Sequence, residues 1–284
     1  MKIKEIRGLL IKELSDRYGI EESRSIFYIL IEAYLKLSRA QVAMHLDQEL
    51  DTSVATLFME SLQKLKNHEP VQYILGETFF YDLLFKVTPS VLIPRQETEE
   101  LVHWIVKDAQ SITGQKTIHI CDIGTGSGCI AIALAKTIQN SEVTAIDISE
   151  KALKTASENA LFHKVTINFS KRDILQADAF PKKYDIIVSN PPYVREQEKS
   201  EMLTNVLAYE PYQALFVSDQ DPLVFYRKIA ELAKNNLKPS GMLYFEINQY
   251  LGQATVTLLE ELGFSEVILR KDIQHNDRMI KALL

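Results

Sequence analysis

Apolar residues recur at two different periods along this chain, and the period changes near residue 76. Before that point they fall three or four positions apart. In "IRGLLIKELSDRYG" the residues Ile6, Leu9, Leu10 and Leu14 share one face, which is the signature of an amphipathic helix. Gly19 is placed to end it. "SRSIFYILIEAYLKL" predicts a second helix, and Ser38 stands where an N-cap belongs, ahead of "RAQVAMHL". "TSVATLFMESLQKLK" predicts another, ending before Pro70. Striped helices of this kind bury their apolar faces against one another, so the segment predicts a small all-helical bundle. None of its residues forms a chemical motif, and its exposed face is a candidate surface for a partner.

Residues 76–95, "GETFFYDLLFKVTPSVLIPR", run in short aromatic and β-branched stretches and predict a β-hairpin or extended linker. "ETEELVHWIVKDAQS" then predicts a helix with acidic residues in its first turn, where the helix dipole favours them. From about residue 116 strands alternate with helices. The strands are "TIHICDIG", "EVTAIDI", "VTINFSKRD", "YDIIVSN" and "GMLYFEI", and the chain ends in "FSEVILRKD" and "DRMIKALL". Continuous Val/Ile runs between amphipathic helices predict a parallel sheet covered on both faces. Ligands of such sheets bind at the carboxyl ends of the strands, near the switch in strand order.

Composition narrows the picture only a little. With 284 residues, 46% apolar and 25% charged, the chain has the make-up of a soluble protein of one or two domains. There is no apolar run of membrane-spanning length, and "MKIKEIRGLL" lacks the features of a secretory signal, so a cytoplasmic location is expected. Cys121 and Cys129 flank one loop and are expected to be free and buried, and no metal site is expected. A net charge of −6 argues against a broad nucleic-acid footprint, which needs a basic face.

Two motifs carry candidate chemistry. "DIGTGSGCIAIALA" follows a strand and opens a helix, with Gly124, Gly126 and Gly128 allowing a tight turn and a close backbone approach to a ligand. A dinucleotide loop spaces its glycines Gly-x-Gly-x-x-Gly, whereas here Cys129 holds the third position. Asp147 ends the next strand, nineteen positions after Gly128. A carboxylate there is placed to accept from ribose hydroxyls, and equally to cap the following helix. Asp173 follows the third strand as a turn residue or an adenine contact, with Ile174 as an apolar wall.

The second motif is "SNPPY", which ends the fourth strand. As a bare strand stop it needs no more than proline's inability to continue a ladder. It also suits a grip on an amino group. Asn190 offers a side-chain carbonyl oxygen and Pro191 a backbone one, so two acceptors are available for the two hydrogens of a planar NH₂. The prolines hold both in extended, rigid geometry, and Tyr193 offers a ring for a flat substrate group. Hydrogen bonds to both N–H groups aim the nitrogen lone pair, so transfer depends on positioning and requires no His or Glu base.

With Asp122 ahead of it, the glycine loop resembles motif I of S-adenosylmethionine-dependent methyltransferases, and Asn-Pro-Pro-Tyr resembles both N6-adenine and protein-glutamine N5 methyltransferases. "EPVQYILGETFFYDLLFKVTPSVLIPRQETEELV" (69–102) and "YEPYQALF" (209–216) are similar to segments of the HemK/PrmC family, which methylates bacterial peptide chain release factors. The resemblance implies an α/β fold: a Rossmann-like, seven-stranded class I methyltransferase domain over 97–284. A helical substrate-recognition domain over 1–72 and a β-hairpin linker over 73–96 would precede it. It implies S-adenosyl-L-methionine as donor, S-adenosyl-L-homocysteine as product, and the glutamine of a release factor's Gly-Gly-Gln motif as substrate. Neither stable nucleic-acid binding nor membrane association is expected.

Residue by residue, Gly124, Thr125, Gly126, Ser127, Gly128, Asp147, Asp173, Ile174 and Asn190 match the cofactor site. Asn190, Pro191, Pro192 and Tyr193 match the substrate site, with Asn190, Pro191 and Tyr193 as its catalytic members. Arg95, Glu97 and Thr98 match a linker motif that packs near the cofactor. Two positions depart from the family pattern: Gln96 replaces a proline, expected to loosen the linker, and Asn248 replaces a glycine, expected to be a variation at a helix entry. A ribosomal-protein glutamine methyltransferase, an N6-adenine nucleic-acid methyltransferase, a non-catalytic cofactor binder and a hydride-transferring oxidoreductase are the alternatives.

Overall fold

The structure is a computed structural model and describes residues 1–112 and 117–284. Its contacts divide it into two compact units: Met1–Glu77 with Leu203–Tyr209, and Thr78–Met202 with Glu210–Leu284.

The first unit is helical. It holds α1 (Ile3–Tyr18), α2 (Ile20–Leu35), α3 (Arg39–Met44), α4 (Thr52–Lys66) and the short α5 (Val71–Leu75). Helix α1 buries Ile3, Ile6, Leu10 and Leu14, so the stripe begins one turn earlier than the sequence pattern suggested and Leu9 sits at its margin. These side chains meet Phe27, Leu30, Phe58 and Leu62 from α2 and α4. Gly19, at φ 78°, closes α1 and opens α2. Ser38 caps α3 as expected: its hydroxyl accepts from the Gln41 N–H, and the Gln41 side chain accepts from the Ser38 N–H. The Tyr209 hydroxyl donates to the Asn67 carbonyl, fastening residues 203–209 to this unit.

The second unit begins with a hairpin of β1 (Glu77–Phe80) and β2 (Leu83–Lys86), followed by α6 (Gln96–Ala109). Then come β3 (Ile118–Ile123), α7 (Cys129–Thr137), β4 (Ser141–Asp147), α8 (Glu150–Phe162), β5 (Ile167–Lys171) and β6 (Tyr184–Ser189). A short pair, β7 (Val194–Arg195) with β8 (Phe216–Val217), precedes α11 (Val224–Asn236), β9 (Leu237–Glu246), α12 (Gly252–Glu261), β10 (Ser265–Lys271) and β11 (Asp277–Leu283). Two small helices follow β7 in the sequence before β8: α9 (Thr204–Tyr209), which belongs to the first unit, and α10 (Tyr212–Leu215).

Seven strands form one sheet in the order β10-β11-β9-β6-β3-β4-β5. One expectation is corrected here: the sheet is mixed, because β11 runs antiparallel to both β9 and β10. The reason is local. Five residues separate β10 from β11, enough for a hairpin, whereas a parallel connection needs a crossover of a dozen residues or more. One sheet face buries Trp104 against Tyr244, and the other buries Tyr226 against Phe245, both pairs edge to face. Strand β3 lies between β4 and β6, so the chain reverses its direction of spread across the sheet at the β3–β6 pair. Ile123 is in register with Ser189 there, which brings the glycine loop and Asn190 side by side at the strands' carboxyl ends.

Candidate active site

Where β3 ends, Gly124, Gly126 and Gly128 adopt φ of 73°, 55° and 83°, a backbone open to glycine at no steric cost. The turn folds onto β4: the Gly124 and Thr125 N–H groups both donate to the Ile146 carbonyl. Asp147 then receives the Gly126 N–H on Oδ2 at 2.9 Å and the Ser149 N–H on Oδ1 at 2.8 Å. It braces the loop and the entry to α8 together. Burial pushes its carboxyl above the usual carboxylate range, while these backbone N–H groups pull it back.

A cavity of about 380 Å³ opens over this loop. Gly124, Gly126, Asp147, Asp173, Ile174, Asn190, Pro191 and Pro192 line it, so residues from four strand ends meet as the sequence suggested. Asp173 does two jobs: its Oδ1 accepts from the Leu175 N–H to start a one-turn helix, and it faces the cavity.

Thr125, Ser127 and Gly128 do not line it. Thr125 and Ser127 are buried, and the Thr125 hydroxyl donates to Asp122 Oδ2 at 2.6 Å. Gly128 serves packing: a Cβ there would stand 3.1 Å from both Ala156 Cβ and Ile132 Cδ1. Tyr193 also turns away from the cavity. Its ring packs on the core and its hydroxyl donates to Glu246 Oε1 at 3.1 Å, because a phenol taken from water needs a polar partner.

The linker motif acts on this site through intermediaries. The Arg95 guanidinium donates to the buried carboxylate of Glu210, which also accepts the Ile93 N–H at 3.2 Å. The pair pins the linker to the segment beginning at Pro211, whose Tyr212, Gln213 and Phe216 form one wall of the cavity. Thr98 is buried in the first turn of α6. Its hydroxyl donates to Glu246 Oε2 at 2.6 Å and accepts from Asn190 Nδ2 at 3.3 Å. Glu97 does not line the cavity. Gln96 is the exposed first residue of α6, a position where proline and glutamine both fit.

Several members of the site escaped the sequence reading. Ser90–Leu92, Tyr212–Ala214 and Phe216 contribute walls, and their only signal was the family resemblance of their segments. Glu246 is buried at the end of β9, where an acid interrupts an apolar run. Asn248 stands ahead of α12, at the helix entry where it was expected, and its side chain also ties down the Asn-Pro-Pro-Tyr loop. Its Nδ2 donates to the Tyr193 carbonyl at 2.9 Å and to Glu198 Oε2 at 2.8 Å, while its Oδ1 accepts the Tyr250 N–H at 2.9 Å.

The arrangement suits an amino-group acceptor. Among the described residues, neither Asn190 Oδ1 nor the Pro191 carbonyl oxygen receives a hydrogen bond, and both residues border the cavity beside the glycine loop.

The sequence matches the PrmC N-terminal domain over residues 9–76 and the methyltransferase small domain over 105–218. It is 52% identical to the release factor glutamine methyltransferase of Flavobacterium psychrophilum over 282 residues, covering 99% of each chain. It is 42% identical to that of Bacteroides thetaiotaomicron over 98% of each. Its fold is similar to the hMettl16 catalytic domain solved with an RNA hairpin, at 16% identity and a TM-score of 0.54, covering 82% of this chain and 81% of that one. The chain belongs to the family of release factor glutamine methyltransferases.

Proposed function

We propose that this protein transfers the methyl group of S-adenosyl-L-methionine to the side-chain amide nitrogen, N5, of the glutamine in the Gly-Gly-Gln motif of peptide chain release factors, supporting translation termination. The single observation that carries this reading is the pair of unengaged acceptors, Asn190 Oδ1 and Pro191 O, at the cavity's edge. Family membership supplies the substrate's identity.

The cavity suits the donor. Asp147 presents carboxylate lone pairs for ribose hydroxyls, Ile148 and Ile174 give apolar walls for a purine, and Gly124 and Gly126 let the backbone approach the amino-acid portion. The donor supplies an electrophilic methyl: a new N–C bond forms as the S–C bond breaks, the sulfonium becomes a thioether, and one amide proton is released.

The protein's part is orientation. Asn190 and Pro191 each accept one N–H of the glutamine amide, which turns its nitrogen lone pair toward the methyl. Pro191 and Pro192 leave the loop little freedom to lose on binding. Tyr193 supports the loop from within the core. Once bonded to the methyl, the nitrogen is acidic enough to lose its proton to water, so a dedicated base is not required.

In this reading the helical region 1–72 recognises the release factor, and the hairpin and linker, 73–96, lead into the catalytic domain 97–284. In this reading the enzyme meets its release-factor substrates in the cytoplasm. The test is methyl transfer from labelled S-adenosylmethionine to a purified release factor and to its Gln→Ala variant at Gly-Gly-Gln. Labelling of the first alone is expected. Equal labelling of both, or labelling only of DNA or of a ribosomal protein, overturns the reading.

A further inference from the structure

An asparagine side chain has two ends of nearly the same shape and opposite hydrogen-bonding character. Only one is useful at the candidate site, because a substrate NH₂ needs an acceptor. Sterics cannot choose between the two orientations, so a neighbouring group of fixed polarity has to. That neighbour is Thr98, and its own polarity is set one step further away.

Glu246 is 1% exposed, and each of its oxygens faces a hydroxyl: Thr98 Oγ1 at 2.6 Å from Oε2 and Tyr193 Oη at 3.1 Å from Oε1. Burial pushes the Glu246 carboxyl up, and the Thr98 hydroxyl, the Arg278 charge and the Tyr193 hydroxyl pull it back toward the ionised form. As a carboxylate it has no proton to give, so both hydroxyls donate to it. Threonine has one hydroxyl proton. Having given it to Glu246, Thr98 can only accept from Asn190, which lies 3.3 Å away. The end of the Asn190 amide facing Thr98 is then its NH₂, and Oδ1 faces the other way. We propose that Glu246 is a positioning residue that acts through Thr98 to fix the orientation of the Asn190 amide, presenting Oδ1 to the amide being methylated. This rests on the amide-methylating reading of the site.

A second feature supports it. Burying a carboxylate is costly, and an apolar residue of similar size fills a core more cheaply. Glu246 keeps its place while making no contact with the cavity. Both of its hydroxyl partners lead to the same loop, through Asn190 on one side and through Tyr193 itself on the other. Asn248 holds that loop by its backbone at Tyr193, so the loop's position has its own brace. What Glu246 adds is direction.

The test is Glu246→Gln, which preserves volume and lets Thr98 point its proton either way. We expect kcat for release-factor methylation to fall by about tenfold to a hundredfold, less than the roughly hundredfold to thousandfold cost of deleting an aligned polar contact, because the Asn190 amide is still present and only its orientation is freed. The KM for S-adenosylmethionine, the calorimetric affinity for S-adenosylhomocysteine and the melting temperature should stay close to wild type. Thr98→Val should lose as much kcat as Glu246→Gln, Thr98→Ser should retain it, and the double variant should be no slower than either single one, because both break the same relay. Unchanged kcat in Glu246→Gln, a matching loss of cofactor affinity, or losses that multiply in the double variant would each overturn the proposal. Neutron diffraction of the wild type is independent of the substrate's identity. Deuterons on the Asn190 nitrogen facing Thr98 support the relay and an oxygen facing Thr98 overturns it, whereas failure of the wild type to label any release factor overturns the proposed function instead.

Discussion

The Asn159 side chain, on α8, donates to the Ser127 carbonyl at 2.9 Å and so ties the glycine loop to a helix 32 positions away. The same amide donates to the Lys86 carbonyl at 3.0 Å and accepts the Lys86 N–H at 2.8 Å. One buried side chain thus satisfies three backbone groups and joins the hairpin, the loop and α8. Asn159→Leu leaves those groups unpaired, at about 1–3 kcal/mol for each that water cannot reach. We expect urea denaturation to show a loss of several kcal/mol, and calorimetry a weaker cofactor affinity, since the loop loses its tether. Asn159→Asp keeps the acceptor but loses both donors, and should be destabilised as well.

Two of the loop glycines, Gly126 and Gly128, should separate by phenotype. Gly128→Ala forces a side chain against Ala156 and Ile132 at 3.1 Å with φ at 83°, so its cost is structural. Overpacking of this kind typically costs about 1–3 kcal/mol, read as a lower midpoint in urea. Gly126→Ala meets nothing nearer than 4.0 Å and borders the cavity. Its side chain occupies space meant for the ligand, so cofactor affinity should fall more than its modest loss of stability explains.

Asn190 and Asp147 should separate turnover from cofactor binding. Asn190→Ala removes an acceptor aimed at the substrate nitrogen, and kcat should fall by about a hundredfold or more with little change in S-adenosylhomocysteine affinity. Asp147→Ala should weaken that affinity strongly, because its carboxylate both faces the cavity and orders Gly126. Steady-state kinetics and calorimetry on the two variants decide it. An equal loss of both quantities in Asn190→Ala removes Asn190 from its proposed role.

These residues also mark what a sequence displays and what it conceals. Strands, helices and the Asn-Pro-Pro-Tyr turn were legible because their causes are local: a run of β-branched residues, a helical stripe, a proline's fixed φ. The reversed strand β11 needed only the five-residue spacing that separates it from β10. Asn248 was legible as a helix-entry residue, but its tie to the Tyr193 carbonyl was not, because that partner lies 55 positions away and no local pattern points to it. Asn159 left a faint trace, as an amide on the stripe of α8 that buries Ala152, Ala156 and Ala160. Thr98 was visible as part of a motif, but its use depends on Glu246, 148 positions further on. Side-chain relays of this kind come from the tertiary fold, and single-residue chemistry does not announce them.

Asp122 gives a prediction about pH. It is fully buried beneath the glycine loop, and burial pushes its carboxyl up to about 7, against the opposing pull of the Thr125 hydroxyl and the Ala131 N–H. In the unfolded chain an aspartate titrates near 4. Below about pH 4 both states hold the proton and the group leaves stability unchanged. Between about 4 and 7 the folded state keeps a proton that the unfolded state has released, so stability falls as pH rises through that window and levels off above the folded value. Asp122→Asn is neutral throughout and can still accept from Thr125. The difference in stability between the variant and the wild type should therefore shift in the variant's favour from pH 5 to pH 8, by an amount on the order of a few kcal/mol. Taking the difference cancels every other titrating group common to both proteins. Urea midpoints at the two pH values measure it, and a difference that stays constant shows that Asp122 is ionised in the fold at both.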